Sequence, residues 1–447
     1  MTEVSLGRAA GSARRLRLSA PRLSARVSAG VSASVLARLV ASGTAVTRAE
    51  LTRETGLARS TVALGLSSLQ RIGLLDTDGA ASHQGRGRPG ERLRIAAGFG
   101  RIVTAEIDLE RTRVAVFDFG QALIDRFDVE LSTDGPPGVF AERLSAAILA
   151  HLADAVPQTP VRIVVVAVPG PVDTRRGTIV RPPLLPGWDD YPLAAELERH
   201  LGCAVVSDND ADLRALGEAR SLPETDSPLL YVRVDSGIGA GFMDATAELY
   251  VGADGAAGDI GHMRTGLAEG RRCRCGQLDH LEAHGSVTAM VQRWDESPAG
   301  RAHPGRTGFE EALRAREPRA VDIARDAAKI VGHALSDILL MFNPARISVG
   351  GSITDVSDVI LAGIRSVVYE TGLPLATRNL TISASEVGED VGLQGGLVLG
   401  LERTLGVTAL TGMLDAANSR ERRISPRTGP GSSATTPRGR RSIDSGA

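Results

Sequence analysis

The sequence predicts a mixed α/β protein with a small N-terminal winged helix-turn-helix and a larger domain of two lobes with a cleft between them. Helical spacing around a tight glycine turn dominates residues 31–69, whereas strands and helices alternate in two successive cycles after residue 101. Such alternation indicates sheets covered by helices. The 447 residues also exceed what one domain usually holds.

Composition narrows the possible functions before any motif is considered. The net charge is −2, so contacts with nucleic acid have to depend on local basic patches. Three cysteines, two of them in a Cys-x-Cys pair, favour a reducing cytoplasm and metal binding over a disulfide framework. No apolar run reaches the length that crosses a membrane. We therefore expect a cytoplasmic protein without a membrane segment.

Composition also suggests where the domains begin and end. The N-terminus is rich in arginine, and the C-terminus is rich in Ser, Arg, Thr, Gly and Pro. The expected division is a disordered basic tail over 1–28, the winged helix-turn-helix over 29–94, the two-lobed domain over 95–408 and a disordered tail over 409–447.

The N-terminal unit has the layout of a DNA-binding module. A first helix stops at Gly43, and Thr47 with Glu50 forms a capping box that opens a second helix. Gly56 supplies the turn into a third helix over 57–69. The second helix of a helix-turn-helix enters the major groove. Its polar face carries the candidate DNA contacts Arg59, Ser60 and Thr61.

A wing and a basic arm follow these helices. Asp78-Gly79 predicts the hairpin turn of the wing, and Gly85-Arg86-Gly87-Arg88-Pro89 comes after it. Small residues let a backbone lie deep in the minor groove, where arginine is attracted by the negative potential, so Arg86 and Arg88 are candidate contacts. Together these features favour a double-stranded DNA operator as partner. A purely protein–protein module stays the alternative because each feature alone is weak.

The first lobe begins with a predicted meander of three strands. A continuous apolar run over 161–168 predicts a strand buried on both faces. The next buried strand delivers Asn209 and Asp210 at its carboxyl end, where open α/β sheets place ligands. The predicted elements are strands at 102–108, 113–117, 126–131, 161–168 and 204–206 and helices at 139–156 and 194–200.

The second cycle repeats the pattern. It opens with a strand, a glycine-rich turn and a return strand that starts at Phe242. The predicted elements are the strand 229–234, the turn 235–241, helices at 287–294, 309–316, 321–342, 360–368 and 392–405, the strand and turn 347–352 and the strand 380–383.

A short loop between these elements has metal-ligand spacing. Two thiols one residue apart can reach one ion, and histidines eleven residues upstream and five residues downstream complete a tetrahedral set. A closed structural zinc (Zn²⁺) site would fix this loop and aim the neighbouring Asp259 and Glu282 at a small polyhydroxyl ligand. Surface cysteines without a metal are the alternative. The candidate zinc ligands are His262, Cys273, Cys275 and His280.

Several motifs, in order along residues 31–405, resemble the ROK family (repressors, open reading frames and sugar kinases). The resemblance implies the actin-like (hexokinase-type) ATPase fold for the two lobes, and the N-terminal module is similar to the repressor branch. The motifs are Val168-Pro169-Gly170-Pro171-Val172-Asp173, Pro186-Gly187-Trp188, Asn209-Asp210-Ala211-Asp212, Gly237-Ile238-Gly239-Ala240-Gly241, Gly258-Asp259-Ile260-Gly261-His262, Cys273-Arg274-Cys275-Gly276 to Glu282, and Asn343-Pro344-Ala345-Arg346 leading to Gly350-Gly351.

The resemblance also implies a sugar site, and carboxylates with an amide suit adjacent sugar hydroxyls. Asp259 is one methylene shorter than the family's Glu, which implies a weaker contact or a different sugar. His280 stands at the third cysteine position of the family loop, after Asp279 in place of Gly, so the metal site is neutral and looser. The implied sugar ligands are Asn209, Asp210, Asp259, His262 and Glu282.

The phosphate-binding turns depart from the kinases of this family. The turn with two glycines corresponds to residues 108–112, where Glu110 and Arg111 replace the glycines, and the second turn begins with Asp235. A carboxylate at about 4 Å repels a unit charge by about 4 kcal/mol at an effective dielectric near 20. Arg111 could offset part of this by pairing with Glu110 or a phosphate. We expect no ATP use; in an active kinase, Asp210 would be the catalytic base.

These expectations describe a DNA-binding transcriptional regulator, a repressor, of carbohydrate metabolism genes that responds to a sugar or sugar derivative in a degenerate kinase cleft. A homodimer or homotetramer is expected because a two-fold operator requires two winged helices. One alternative is an active ROK kinase that phosphorylates a hexose with ATP and carries a fused DNA-binding domain. Another is a regulator that has lost its ligand and senses a protein partner.

Overall fold

The computed structural model describes residues 15–19, 28–78, 91–109, 111–155 and 159–424. The predicted hairpin turn at Gly79, the arm with Arg86 and Arg88, and Glu110 lie outside the described residues. Within the described ranges, no single helix is long and apolar enough to cross a membrane, while the bent pair Gly388–Thr404 and Val407–Arg420 meets the length and composition criteria together.

The N-terminal head is a winged helix-turn-helix. Both hydrogen bonds of the predicted capping box between Thr47 and Glu50 are present, and Gly56 ends the second helix at a φ of 66°. The two strands of the wing pair antiparallel, with Leu75 opposite Ile95. The head consists of α1 (Ala29–Ala41), α2 (Arg48–Thr55), α3 (Arg59–Arg71), β1 (Leu75–Asp78) and β2 (Arg92–Ile95).

The first lobe is a five-stranded sheet between helices. Its strand order is β5-β4-β3-β6-β9, in which β3, β6 and β9 are parallel and β4 is antiparallel to its neighbours. Its elements are β3 (Arg101–Ile107), β4 (Arg111–Asp118), β5 (Leu123–Glu130), α4 (Pro137–Ala155), β6 (Val161–Val168), β7 (Val172–Asp173), β8 (Thr178–Ile179), α5 (Leu193–Leu201), β9 (Ala204–Asn209) and α6 (Asp210–Ser221).

The second lobe has a four-stranded sheet in the order β11-β10-β12-β13. The chain then returns to the first lobe, where α15 packs on β3 and β6. This arrangement confirms the predicted two-lobed, kinase-like α/β fold. The elements are β10 (Leu229–Val234), β11 (Ile238–Met243), α7 (Leu281–Gly285), α8 (Val287–Asp295), α9 (Pro298–Ala302), α10 (Gly305–Arg314), α11 (Pro318–Phe342), β12 (Arg346–Gly350), α12 (Ser352–Val356), α13 (Val359–Thr371), α14 (Pro374–Thr377), β13 (Thr381–Ala384), α15 (Val391–Thr404) and α16 (Val407–Ile424).

The turn predicted over 235–241 is present but covers only 235–237, so its predicted extent is wrong because β11 already begins at Ile238. A Cβ on Gly241 would lie 2.5 Å from the Cβ of Ala215 and 2.7 Å from the carbonyl oxygen of Ala211. Both neighbours belong to α6. The glycine therefore serves the close approach of a helix to a strand rather than a turn.

The disorder predicted over 409–447 is wrong for residues 409–424, where α16 continues to Ile424 and packs on α1, and the remainder of that tail lies outside the described residues. Leu410 and Leu414 of α16 are buried. Within the predicted N-terminal tail, residues 15–19 are ordered and Leu16 is buried. The head therefore shares one continuous apolar core with the first lobe instead of forming a separate unit. Composition hid the helical spacing of the apolar residues in α16.

Candidate functional site

Asn209 and Asp210 lie where β9 ends and α6 begins. The Asn209 amide oxygen accepts hydrogen bonds from the backbone N–H groups of Ala211, at 2.8 Å, and Asp212, at 3.2 Å. Its amide nitrogen donates to the carbonyl oxygen of Gly170 at 2.8 Å. Asn209 is thus the N-cap of α6, which leaves one N–H for a ligand. The preference of helices for Asn at this position was the signal that sequence reasoning overlooked.

Asp210 is almost fully buried and pairs with Arg233, which no sequence argument had singled out. Arg233 is on β10 of the second lobe, so the ion pair joins the two lobes. Its other terminal nitrogen lies 3.6 Å from a carboxylate oxygen of Asp235. Burial raises the pKa of Asp210, although the charges of Arg233 and Arg214 oppose the shift. The available signal was a cation within an otherwise apolar strand, which requires a buried partner.

The four predicted metal ligands come together in one cluster. Their ligand atoms all lie within 4.8 Å of one another. The Sγ of Cys273 is 3.7 Å from Nδ1 of His262, and the Sγ of Cys275 is 3.2 Å from Nδ1 of His280. In a tetrahedral zinc site, sulfur and nitrogen ligands are about 3.6 Å apart, given the usual bond lengths. The chain therefore has a possible His/Cys metal-binding cluster.

The pKa shifts within the cluster differ between a histidine and a thiol. Burial and the nearby charges of His262 and Arg264 lower the pKa of His280, which favours the neutral imidazole that binds metals. Burial raises the pKa of the Cys273 thiol to about 12. A thiolate at this position would therefore need a bound cation to stabilise it.

Asp279, which replaces a family glycine, supports the loop around the cluster. Its φ of 54° lies in the left-handed region, which aspartate tolerates better than most residues. Its carboxylate accepts hydrogen bonds from the backbone N–H groups of Gly270, at 3.1 Å, and Arg271, at 3.0 Å. The buried ring of His284 contacts it at 3.1 Å. The departure from glycine is thus compensated by hydrogen bonds within the loop.

Asp259 and Glu282 are two carboxylates next to the cluster: the charge of His262 acts on Asp259, and Glu282 contacts Cys273. One Glu282 oxygen accepts from the backbone N–H of Ile238 at 3.4 Å, and the other lies 3.8 Å from the Sγ of Cys273. No residue that the structure describes donates a hydrogen bond to the Asp259 carboxylate. Burial is the main cause of its raised pKa, to which Asp210 and Glu282 add.

Gly258 and Gly261 allow this segment to lie directly against β11. A Cβ on Gly258, whose φ is 108°, would lie 2.1 Å from the carbonyl oxygen of Ala240, and one on Gly261 would lie 2.3 Å from that of Ile238. Neither position has room for a side chain. The two glycines therefore fix the depth at which Asp259 and His262 enter the site.

All five candidate sugar ligands line one small cavity of about 60 Å³. A second cavity of about 530 Å³ is the interlobe cleft, lined by Asp108, Arg111, Asp235 and Arg306 among others. Arg233 lines both cavities. It therefore forms the wall between the small pocket and the cleft.

Several of the charges that line the cleft are paired with each other. Asp235 accepts from Arg306 at 3.0 Å and from the Ser352 hydroxyl at 3.3 Å. Burial alone would raise the pKa of Asp235, but Arg233 and Arg306 outweigh it and hold the pKa below its usual value. Arg111 pairs with Asp128 at 3.3 Å.

The predicted DNA contacts of the third helix face outward. Arg59 and Ser60 are exposed in the first turn of α3, and Thr61 is half-buried. The opposite face of α3 packs Val62, Leu66 and Leu69 into the head. The polar end of α3 is thus accessible to a partner.

Comparisons with known proteins place this chain among regulators and kinases. The ROK family pattern matches residues 106–403. A putative xylose repressor from Caldicellulosiruptor sp. is 27% identical over 357 residues, 76% of this chain and 88% of the relative. A glucokinase from Streptomyces coelicolor is 28% identical over 325 residues, 67% of this chain and 98% of the relative.

A solved structure supports the fold over a longer stretch. It is the crystal structure of a ROK family transcriptional regulator, a homologue of the Escherichia coli Mlc protein. It superposes with a TM-score of 0.72 at 20% identity and covers 86% of this chain and 98% of its own chain. At that identity the likeness bears on the fold alone.

Proposed function

Because this chain belongs to the ROK family, we propose that it is a transcriptional repressor of carbohydrate metabolism genes whose affinity for operator DNA is set by a sugar in the small cavity. One observation carries the proposal. A single cavity brings together residues of three separate segments, which contribute Asp210, Asp259 and Glu282. The same chain also has a winged helix. The putative xylose repressor also matches more of this chain than the glucokinase does.

The free acceptors of the pocket suit a polyhydroxyl ligand. Asp259 and Glu282 offer carboxylate oxygens that hold at most weak protein contacts. With Nδ1 of His262 turned toward the metal cluster, its other ring nitrogen is left to face a hydroxyl. Each sugar hydroxyl both donates and accepts, so this mixed set satisfies neighbouring hydroxyls. Structural zinc on the four cluster residues would hold these groups in place.

Helix α6 connects the pocket to the DNA-binding head. Its first residue, Asp210, lines the pocket, and its last turn contacts residues 15–19. Arg17 donates to the carbonyl oxygen of Ala219 at 2.7 Å, and its backbone N–H donates to that of Arg220 at 3.1 Å. Almost every residue of α6 is buried, so we expect any displacement to involve the whole helix. A ligand that binds more tightly when α6 is in one of two positions shifts the equilibrium of the head toward that position, by an amount set by the difference in affinity.

Further hydrogen bonds join the head to the first lobe. Arg38 of α1 donates to the carbonyl oxygen of Glu402 at 2.6 Å, and Ser34 donates to that of Leu405 at 2.6 Å. The Gln121 side chain donates to the carbonyl oxygens of Leu16, at 3.0 Å, and Ala41, at 3.2 Å. The head thus follows the first lobe. Two heads in a homodimer or homotetramer would bind a two-fold operator, and ligand would change their spacing.

The test is a sugar titration of DNA binding. Operator DNA is first selected from a random duplex library with the purified protein, and affinity is then followed by fluorescence anisotropy with a panel of pentoses, hexoses and their phosphates. We expect one sugar class to change operator affinity at least tenfold. Indifference to every sugar would leave the regulator without its proposed effector and favour a protein partner.

The head is tested with a matched pair of arginines. Arg59→Ala should weaken operator binding roughly tenfold and lower the salt dependence by about one phosphate contact. Arg53→Ala on α2, where Arg53 is exposed and pairs with Glu54, is the control. Equal losses in both variants would argue against α3 as the recognition helix.

A further inference from the structure

Arg233 lies at the junction of the two cavities. Its guanidinium belongs to the wall that the pocket of about 60 Å³ shares with the cleft of about 530 Å³. The side chain is 11% exposed, although its strand is otherwise apolar. A cation is buried to this extent only where carboxylates neutralise it. Its position is therefore set by its partners.

Those partners come from both lobes. One terminal nitrogen bonds to Asp210 of the first lobe, and the other lies 3.6 Å from Asp235 of the second. Asp235 is held in turn by Arg306 at 3.0 Å. Arg306 pairs with Glu310 as well, at 2.8 Å. A phosphate at the junction would therefore have to compete with carboxylates for both guanidinium groups.

The Arg233 guanidinium occupies the position that a sugar hydroxyl would need in order to receive a phosphoryl group. A hydroxyl that receives a phosphoryl group must touch its base and face the donor at a separation of about 3–3.5 Å. In this protein, such a hydroxyl would contact Asp210 from the side that faces the cleft, and Arg233 lies on that side. A hexopyranose carries its primary hydroxyl on an exocyclic arm. A pentopyranose with the same ring hydroxyls lacks that arm.

Building on the proposed sugar-binding function, we propose that Arg233 is a specificity-determining residue that closes the pocket beyond Asp210, so that the ligand is a neutral pentopyranose rather than a hexopyranose or a sugar phosphate. The ring hydroxyls bind Asp259 and Glu282, and the Asp210 oxygen not held by Arg233 accepts from the ring end nearest the junction. The guanidinium fills the space that an exocyclic arm would need.

Calorimetry with matched sugars tests this proposal. D-xylose and D-glucose differ only by the exocyclic arm, and so do L-arabinose and D-galactose, which covers a second ring stereochemistry. In the wild-type protein, we expect the pentose of the effective pair to bind at least tenfold more tightly than its hexose, within the range that one small group can discriminate. Glucose 6-phosphate should bind more weakly than glucose.

Two variants separate volume from charge. Arg233→Ala opens the pocket to the cleft, so the pentose-to-hexose ratio should fall to about threefold or less. Arg233→Met keeps most of the side-chain length without the charge and should retain the discrimination. Thermal melting reports whether each variant is folded. If Arg233→Ala does not fold, the wild-type ratios and Arg233→Met still decide.

Each contrary result has a distinct meaning. Equal binding of pentose and hexose by the wild-type protein, or an unchanged ratio in folded Arg233→Ala, overturns the role of Arg233 while leaving a sugar-controlled regulator intact. Tighter binding of glucose 6-phosphate than of glucose overturns it in favour of a phosphate-binding arginine. Absence of binding by all four neutral sugars and the phosphate overturns the pentopyranose proposal, and the sugar titration of DNA binding then decides the proposed function.

Discussion

The two cavities between the lobes are both rich in carboxylates, but they use them differently. In the small pocket, Asp259 accepts no hydrogen bond from any described residue, and Glu282 has only long contacts of 3.4 and 3.8 Å. In the cleft, Asp235 is held by Arg233, Arg306 and Ser352. A carboxylate with free lone pairs can accept sugar hydroxyls, whereas a paired one must first lose its partners.

Cavity size therefore does not indicate which cavity is functional. The cleft is several times larger, and the largest pocket is the usual first hypothesis for a ligand site. Its buried carboxylate Asp235, however, is paired with Arg233 and Arg306, and Arg233 separates the cleft from the small pocket. The smaller pocket has the unpaired acceptors and lies beside the metal cluster. The four predictions below test this contrast.

The largest effect is expected from the metal loop, which should shape the pocket without forming the cleft. Structural zinc contributes about 10 kcal/mol or more to the folding of zinc-finger peptides. If about a third of that free energy holds the pocket residues in place, its loss would weaken sugar binding roughly 100-fold. Cys275→Ser should lose bound zinc, as measured by elemental analysis, and lower the melting temperature by roughly 10 °C. Sugar affinity should fall in parallel.

Cys203→Ser is the matched control, because Cys203 is half-buried before β9 and is not in the cluster. It should keep both zinc and sugar binding. Sugar binding unchanged in a zinc-free Cys275→Ser protein would separate the metal from the pocket and contradict the proposed role.

The second prediction compares one carboxylate from each cavity. Asp259→Asn removes a free acceptor from the pocket and should weaken sugar binding roughly 10- to 100-fold, since a charge-assisted hydrogen bond contributes about 1.5–3 kcal/mol. Asp355→Asn makes the same change in the cleft and should alter the affinity less than about twofold. Calorimetry, with zinc content checked in each variant, gives both values. Equal losses would remove the distinction between the cavities.

The third prediction concerns the paired carboxylate of the cleft. Asp235→Ser removes the carboxylate that Arg306 and Arg233 share, although Arg306 keeps its pair with Glu310 at 2.8 Å. A fluorescent ATP analogue should therefore bind roughly tenfold more tightly than to the wild-type protein, where we expect only millimolar binding. Neither protein should phosphorylate a sugar, because Arg233 stays on Asp210. Phosphotransfer by the wild-type chain that disappears in Asp210→Asn would instead establish the kinase alternative.

The sequence predicts the fold and the candidate site well where the signal lies within a short segment of the chain. The capping box at Thr47, the buried strand Val161–Val168 and the two cycles of strands and helices are present as expected. The predicted metal ligands lie within one short loop, so spacing alone was enough to propose them. Their closeness follows from the isolated bridge that joins Arg264 to His280 across the loop.

Features that depend on distant contacts were missed. Arg233 meets Asp210 from another lobe, and no spacing rule connects a strand residue to a helix start across a cleft. The cap formed by Asn209 was read only as a ligand. Helix α16 was hidden by a tail composition typical of disorder, although Leu410 and Leu414 bury their side chains against the head. Such features depend on tertiary packing, which a pattern in one segment does not record.

The smallest effect is expected from Asp208, a buried carboxylate that lines neither cavity. Its carboxylate accepts one hydrogen bond, from the backbone N–H of Asn209 at 2.9 Å, and burial raises its pKa to about 6, with Arg403 opposing. Because the folded-state pKa is above the unfolded value, folding favours the protonated form. Stability from this group is thus complete at low pH and is lost as the pH rises from about 4 to about 6. Asp208→Asn should remove that loss.

The variant should therefore gain more over the wild-type protein at pH 7.5 than at pH 4.5. We expect a difference of about 1 kcal/mol, or roughly 2–4 °C in melting temperature, since asparagine keeps the hydrogen bond but not the charge. The exposed Asp322→Asn is the control and should show no such dependence on pH. A gain that is equal at both pH values would mean that folding does not raise the pKa of Asp208. Burial without a charged partner would then be insufficient to disfavour an ionised carboxylate near the pocket.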